Sequence, residues 1–289
     1  MVPRSIVGAM LLVVCTAVLP AAALAHGLPP VPLALWGPFG RPTVNCMRRL
    51  NHAAQQCFHA VYAAHRRCMD ARLAGATCNT SQRDAAIQAA IGAAQATVEQ
   101  VCFGGQLTEL RFASFDDART DIARACNEAA TAADMVYAPA AAPASVEDME
   151  MEHRRCMAHT GAMSSKLVSL MMRDKSRVLD QIGLRIMPPS QKLGMLAHAG
   201  QRIDAARQQL NSRMDEICPE FRGPYVVDSA TFLSALERRS DCLLGMMYYQ
   251  TSIVCSPSSC GDAIKEPGEE CDDGNQIETD ACHNNCTRR

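Results

Sequence analysis

Residues 43–72, TVNCMRRLNHAAQQCFHAVYAAHRRCMDAR, decide the fold. The stretch holds no proline or glycine, and Cys46, Cys57 and Cys68 recur at intervals of 11 residues. Eleven residues is about three turns of α-helix, so the three thiols share one face. Successive thiols stand roughly 16 Å apart along the axis, too far to bridge one another. Each must therefore reach another element. A helix pinned to its neighbours in this way implies an all-α, disulfide-stapled body of helical hairpins.

The flanking sequence agrees. Gly75 and Asn79 mark a turn over 73–80, and Ser81 with Asp84 resembles a capping box opening a second helix that runs to about Cys102. Gly104-Gly105 ends it. Ser114 with Asp117 opens a third helix to about Tyr137, whose inner stripe is Phe115, Ala118, Ile122, Cys126, Ala129 and Ala133. Residues 138–144, APAAAPA, read as a linker. Ser145 with Asp148 starts another long helix, broken near Pro188-Pro189, and helices follow at about 191–217 and 229–253. No strand-like alternation of useful length occurs. The expected organisation is a signal peptide over 1–25, a Pro-rich leader over 26–43, helical unit 1 over 44–137, the linker, helical unit 2 over 145–255, and a cysteine-rich module over 256–289.

The two units look like copies. Cys102 and Cys126 are 24 apart, as are Cys218 and Cys242, at an offset of 116. The same offset carries Ile87, Ala90, Ala94, Val98 and Val101 onto Ile203, Ala206, Leu210, Met214 and Ile217. Cys46 then corresponds to Cys156. One pairing scheme follows: Cys46–Cys102 and Cys156–Cys218 as the shared bridge, Cys68–Cys78 at the first hairpin tip, and Cys57–Cys126 and Cys242–Cys255 as alternative anchors of the third helix. A rival scheme pairs Cys102–Cys126, Cys218–Cys242 and Cys156–Cys255. Spacing alone does not choose between them.

The N-terminus sets the expected compartment. Arg4, an apolar run over 6–19 and Ala23-Leu24-Ala25 before His26 have the layout of a secretory signal peptide. Cleavage removes Cys15 and leaves fourteen of the 15 cysteines, an even set that reads as up to seven disulfides in an oxidising compartment. The expected location is secreted, periplasmic or cell-surface. The leader, with Pro29, Pro30, Pro32, Pro38 and Pro42 around Trp36, reads as extended and mobile. Lys+Arg 28 against Asp+Glu 30 gives no electrostatic case for nucleic acid, and no integral membrane segment is expected after cleavage. With Trp 1, Tyr 5 and Phe 7, the core must be built from Ala, Leu, Ile and Met.

At Cys260 the helical period stops. CGDAIKEPGEECDDGNQIETDACHNNC is dense in Cys, Gly, Asp, Glu and Asn, and so short a segment needs cross-links to fold. Cys260, Cys271, Cys282 and Cys286 read as two internal disulfides. Cys260-Gly261-Asp262, then 267–275 (PGEECDDGN), Asp280, Cys282 and Cys286 resemble the Myxococcus cysteine-rich repeat, with Ala263 and Ala281 where that family usually has glycine. The resemblance covers about a tenth of the chain. It implies an exported bacterial protein of adhesive or structural type, and no catalysis.

Three clusters carry metal-ligand chemistry. Asp272, Asp273, Asn275 and Asp280, with Glu278, set oxygen ligands around Gly274 as candidates for calcium, or serve only as Asx turns. Met149, His153, Cys156 and Met163 share a helix face with soft ligands suited to copper, or are core filler. His52, His59 and His65 interleave with Cys57 and Cys68 as a zinc alternative. No GxSxG, HExxH or Cys-x-x-Cys-His motif occurs. The expected function is a non-catalytic structural or binding role toward an unknown protein or surface partner. Binding of calcium or copper is the alternative.

Overall fold

The computed structural model describes residues 32–137, 149–219, 228–248 and the single residues 270, 283 and 287. Among them are seven α-helices, one 3-10 turn and no strand: the turn Leu33–Leu35, then α1 (Arg41–Leu73), α2 (Thr80–Val101), α3 (Gly104–Glu109), α4 (Phe115–Tyr137), α5 (Met151–Leu184), α6 (Pro189–Ile217) and α7 (Ser229–Tyr248). The expected all-α, disulfide-linked architecture is present.

Local chemistry explains the ends. Pro42 sits in the first turn of α1, where its missing N–H costs nothing. Gly75 closes the same helix at φ 80°, with its N–H on Arg72 O and the Ala76 N–H on Ala71 O, the paired bonds of a Schellman stop. The cap of α2 is Asn79, whose side chain accepts from the Gln82 N–H at 3.0 Å, rather than Ser81. An N-cap two residues earlier lengthens α2 and leaves Asp84 paired with Arg83. Ser114 Oγ accepts from the Asp117 N–H at 3.1 Å at the start of α4, as the sequence predicts. Gly104-Gly105 does not merely end α2, since both residues open the short α3.

The described part of the leader is packed against the helices. Leu33 and Trp36 are buried, and Phe39 donates its N–H to Gly183 O at 2.7 Å, laying this segment across the end of α5. Lys192 at the start of α6 is also buried, with Nζ donating to Ala34 O at 3.1 Å and Trp36 O at 2.7 Å. Lys192→Ala leaves the buried Trp36 carbonyl without that donor, a cost of about 1–3 kcal/mol. Trp36 is the single tryptophan of the chain. Its emission is expected to shift to the red in this variant; an unchanged spectrum and midpoint would show that the lysine holds nothing.

The helices form two copies of one unit. An offset of 110 carries Cys46-Met47 of α1 onto Cys156-Met157 of α5 and Asp70 onto Asp180. Burial follows the same register: Leu50 and Thr160, Ala54 and Ser164, Cys57 and Leu167, Phe58 and Val168, Val61 and Met171, Tyr62 and Met172 are buried pairs. Cys102 and Cys218 each cap the C-terminus of the following helix. For the third helices the register is 111 rather than the 116 suggested by the cysteines. It matches buried Ile122 with Leu233, Ala125 with Leu236, Ala133 with Leu244, Val136 with Met247 and Tyr137 with Tyr248. An offset of 116 would instead set buried Ala118 and Ile122 on half-buried Ser234 and Arg238. Cys242 therefore stands at the position of Thr131, not of Cys126.

The copies face each other. Arg48 meets Asp180, Gln55 meets Ser176 and Tyr62 meets Gly161, so α1 and α5 run antiparallel. His59 and Ser169 are the same position in the two copies and lie 3.4 Å apart. Glu128 and Arg239 are likewise one position, and they form an ion pair at 3.5 Å. A residue that touches its own counterpart lies on a pseudo-two-fold axis. One buried cluster runs through α1, α4, α5 and α7. Among the described residues ten methionines are buried, as a core poor in aromatics requires.

The outer helices bury little. In α2 only Ala94 and Val98 are buried, and in α6 only Lys192, Ala199, Ile203 and Met214. A fully buried valine contributes roughly 1.5–3 kcal/mol, while ordering each backbone residue costs about 1–2 kcal/mol. Covalent staples hold both helices to the body, Cys46–Cys102 and Cys68–Cys78 for α2 and Cys156–Cys218 for α6.

Candidate functional site

The covalent framework comes from the positions just described. Cys46 on α1 is joined to Cys102, Cys57 on α1 to Cys126 on α4, Cys68 to Cys78, and Cys156 on α5 to Cys218. The Cα–Cα separations are 5.0, 5.3, 4.9 and 5.2 Å, in that order. These are pairings of the first scheme, and the Cys102–Cys126 bridge of the rival scheme does not form. The shared bridge falls on the sixth residue of α1 and of α5. Cys242 is also disulfide-bonded, and with the other eight described cysteines paired, its partner lies outside the described residues.

Where unit 1 has Cys57–Cys126, unit 2 has charge. The offsets put Leu167 and Glu237 at those two positions. Glu237 pairs with Arg207 of α6 at 2.9 Å and with Lys175 of α5 at 3.5 Å. Lys175 also meets Asp241 at 2.5 Å. An ionic network thus ties α5, α6 and α7 where a disulfide ties α1 to α4.

Each third helix ends on a tyrosine that grips an aspartate of its own unit. The Tyr137 hydroxyl donates to Asp70 Oδ1 at 2.9 Å, and the Tyr248 hydroxyl to Asp180 Oδ1 at 3.0 Å. Arg66 supports Asp70 at 3.1 Å, and Arg48 of the other unit supports Asp180 at 2.9 Å. Burial pushes both phenols above their usual range. Sequence reasoning missed these pairs, whose members are 67 and 68 residues apart. The signal was present as equal placement in the two copies.

Burial also raises the Asp180 carboxyl above its ordinary 3.8, against the pull of the Tyr248 hydroxyl and Arg48. The folded state therefore holds that proton more tightly than the unfolded chain. This contribution to stability is complete below 3.8 and is lost as pH rises through the folded value. Asp180→Asn keeps an acceptor for Tyr248 without the charge. Urea midpoints measured across the acidic range should fall less steeply with rising pH in this variant; an identical slope would remove Asp180 from the account.

The metal-ligand clusters of the helical body do not assemble. Met149, Met157 and Met163 are core residues, Cys156 is oxidised, His153 is half-buried and His159 exposed. For the zinc alternative, Cys57 and Cys68 are in disulfides and His52 is exposed. His59 and His65 are half-buried, and burial lowers the pKa of both. Among the described residues no group of three His, Cys, Asp or Glu side chains is arranged to hold a metal. The calcium candidates Asp272, Asp273, Asn275 and Asp280 lie outside the described residues, as do Cys255, Cys260, Cys271, Cys282 and Cys286. Among the described helices none is long and apolar enough to cross a membrane.

One groove lies between α5 and α6, with a volume of about 650 Å³. Met163, Leu167, Leu170 and Leu210 form its floor, and Lys166, Arg213 and Glu216 its rim. The corresponding place in unit 1 carries Ala53, Cys57 and Ala60 against the alanines of α2, and Cys57 is bonded to Cys126.

The C-terminal end of α7 belongs to more than the bundle. Residues 240–287 match a family model described as a Domain of unknown function (DUF4215). No curated protein and no solved structure matches the chain. The match begins inside α7, earlier than the boundary at 256 read from composition. It takes in Cys242 and Cys255 with Cys260, Cys271, Cys282 and Cys286. Within it, Ser240, Cys242, Leu243, Leu244, Met247 and Tyr248 are buried in the helical core. Residues 240–248 of the matched segment are thus part of the bundle.

Proposed function

We propose that this is an exported, non-catalytic structural or binding protein, in which a disulfide-locked helical body holds a cysteine-rich module for contact with a partner at the cell surface or in the extracellular space. The observation that carries the reading is Cys242. It is buried in α7, disulfide-bonded and inside the family-matched segment, so that segment begins on residues of the helical core. Disulfides that cross-link separate helices persist in oxidising compartments and are rare in reducing ones. The layout of residues 1–25 as a signal peptide and the likeness of 260–286 to the Myxococcus cysteine-rich repeat support export.

The test is expression of the full chain with its own N-terminus, followed by native mass spectrometry of the mature protein without reductant. The expected product begins at His26 and weighs 14 hydrogens less than the reduced chain, from the fourteen cysteines that remain. A cytoplasmic product that retains residues 1–25 and free thiols would overturn the proposal. A stoichiometric calcium adduct lost on Asp272→Asn would move the function to the metal-binding alternative, with the acidic loop as its site.

A further inference from the structure

Three of the four disulfides between described cysteines are closed to solvent, with both cysteines buried: Cys46–Cys102, Cys57–Cys126 and Cys156–Cys218. The fourth differs in four ways. Cys78 is half-exposed in a turn whose residues 74–77 and 79 are exposed. A cavity of about 410 Å³ opens on the bond, lined by Cys68, Cys78, Arg67, Arg83, Thr77 and Gln82 among others. Arg83 Nη1 lies 4.0 Å from Cys68 Sγ, on the buried side of the bond. Finally, unit 2 has Val178 at the position of Cys68, and its α5–α6 hairpin forms without a tip bridge.

We infer that Cys68–Cys78 is a thiol–disulfide exchange site, open to an external dithiol while the rest of the helical body stays locked. The dithiol's first thiolate attacks the accessible Cys78 Sγ in the cavity. A new S–S bond forms there, the Cys68–Cys78 bond breaks, and its electron pair leaves on Cys68 Sγ beside the Arg83 guanidinium. A nearby cation favours a departing thiolate, and a better leaving thiol speeds exchange. The dithiol's second thiol then displaces Cys78. Two electrons pass to the protein, the dithiol becomes a cyclic disulfide, and its two protons end on Cys68 and Cys78. Arg83 also pairs with Asp84, which fixes the guanidinium on this turn. Cys46–Cys102 holds the opposite end of the α1–α2 hairpin, so reduction frees the tip without releasing the helix.

The experiment is graded dithiothreitol on the folded, oxidised full chain without denaturant, with alkylation of new thiols and peptide mapping by mass spectrometry. Cys68 and Cys78 should be labelled first, while the three buried bridges remain intact. Arg83→Gln should slow that opening about three- to tenfold, through loss of leaving-group stabilisation alone. Opening of any of the three buried bridges at the same or lower dithiothreitol overturns the inference. So does an Arg83→Gln rate equal to that of the parent.

Discussion

Gly161→Ala is expected to destabilise the protein by about 2–4 kcal/mol. A Cβ at Gly161 would fall on the Tyr137 hydroxyl and 2.8 Å from its Cζ. The Tyr62 hydroxyl also donates to the Gly161 carbonyl at 3.0 Å, so α5 cannot simply back away from α1. Overpacking of a tight core costs roughly 1–3 kcal/mol. Displacing the phenol from Asp70 loses a hydrogen bond to a charged group, about 1.5–3 kcal/mol. The better helix propensity of alanine returns about 1 kcal/mol. Chemical denaturation measures the sum. Tyr137→Phe should cost less in the Gly161→Ala background than in the parent, because it removes the colliding oxygen. Additive costs would show that the two residues do not meet.

Removing Cys57 and Cys126 together, as alanines, should cost about 4 kcal/mol. The bond closes a segment with a sequence separation of 69, and the chain-entropy relation gives that order for such a loop. Glu237→Gln removes the negative charge at the corresponding place in unit 2. Its carboxylate is about a fifth exposed and paired with partly exposed cations, so a loss of roughly 1 kcal/mol or less is expected. The two units thus reach the same geometry with anchors of unequal strength. Thermal melts of the two variants should differ by several degrees. Equal losses would mean that the two anchors are of equal strength.

Much of this architecture was legible in the sequence because its signals are local or periodic. The 11-residue cysteine interval, the breaker-free run of α1, the Gly75 stop and the Ser114–Asp117 start all act within a few turns. The shared bridge followed from matching Cys46 with Cys156 and Cys102 with Cys218. What was missed depends on three dimensions. Proline content marked the leader as extended, yet Leu33 and Trp36 are buried and the Ala34 and Trp36 carbonyls accept from the Lys192 ammonium. The matching of Cys126 with Cys242 followed covalent spacing, whereas the helix register obeys burial and places Cys242 at Thr131. The Met149–Met163 face looked like a soft-metal site because methionine serves both roles, and burial decides for the core. The members of the Tyr–Asp pairs are 67 and 68 residues apart, and only the matching of the two copies marks them in the sequence.

The account rests on two copies of one helical unit, each closed by the same bridge. Peptide mapping of the unreduced, mature protein tests this most directly. The account predicts fragments linking Cys46 to Cys102, Cys57 to Cys126, Cys68 to Cys78 and Cys156 to Cys218, with Cys242 joined to a cysteine within the family-matched segment. Fragments linking Cys102 to Cys126 or Cys218 to Cys242, or free thiols at Cys46 and Cys156, would contradict it.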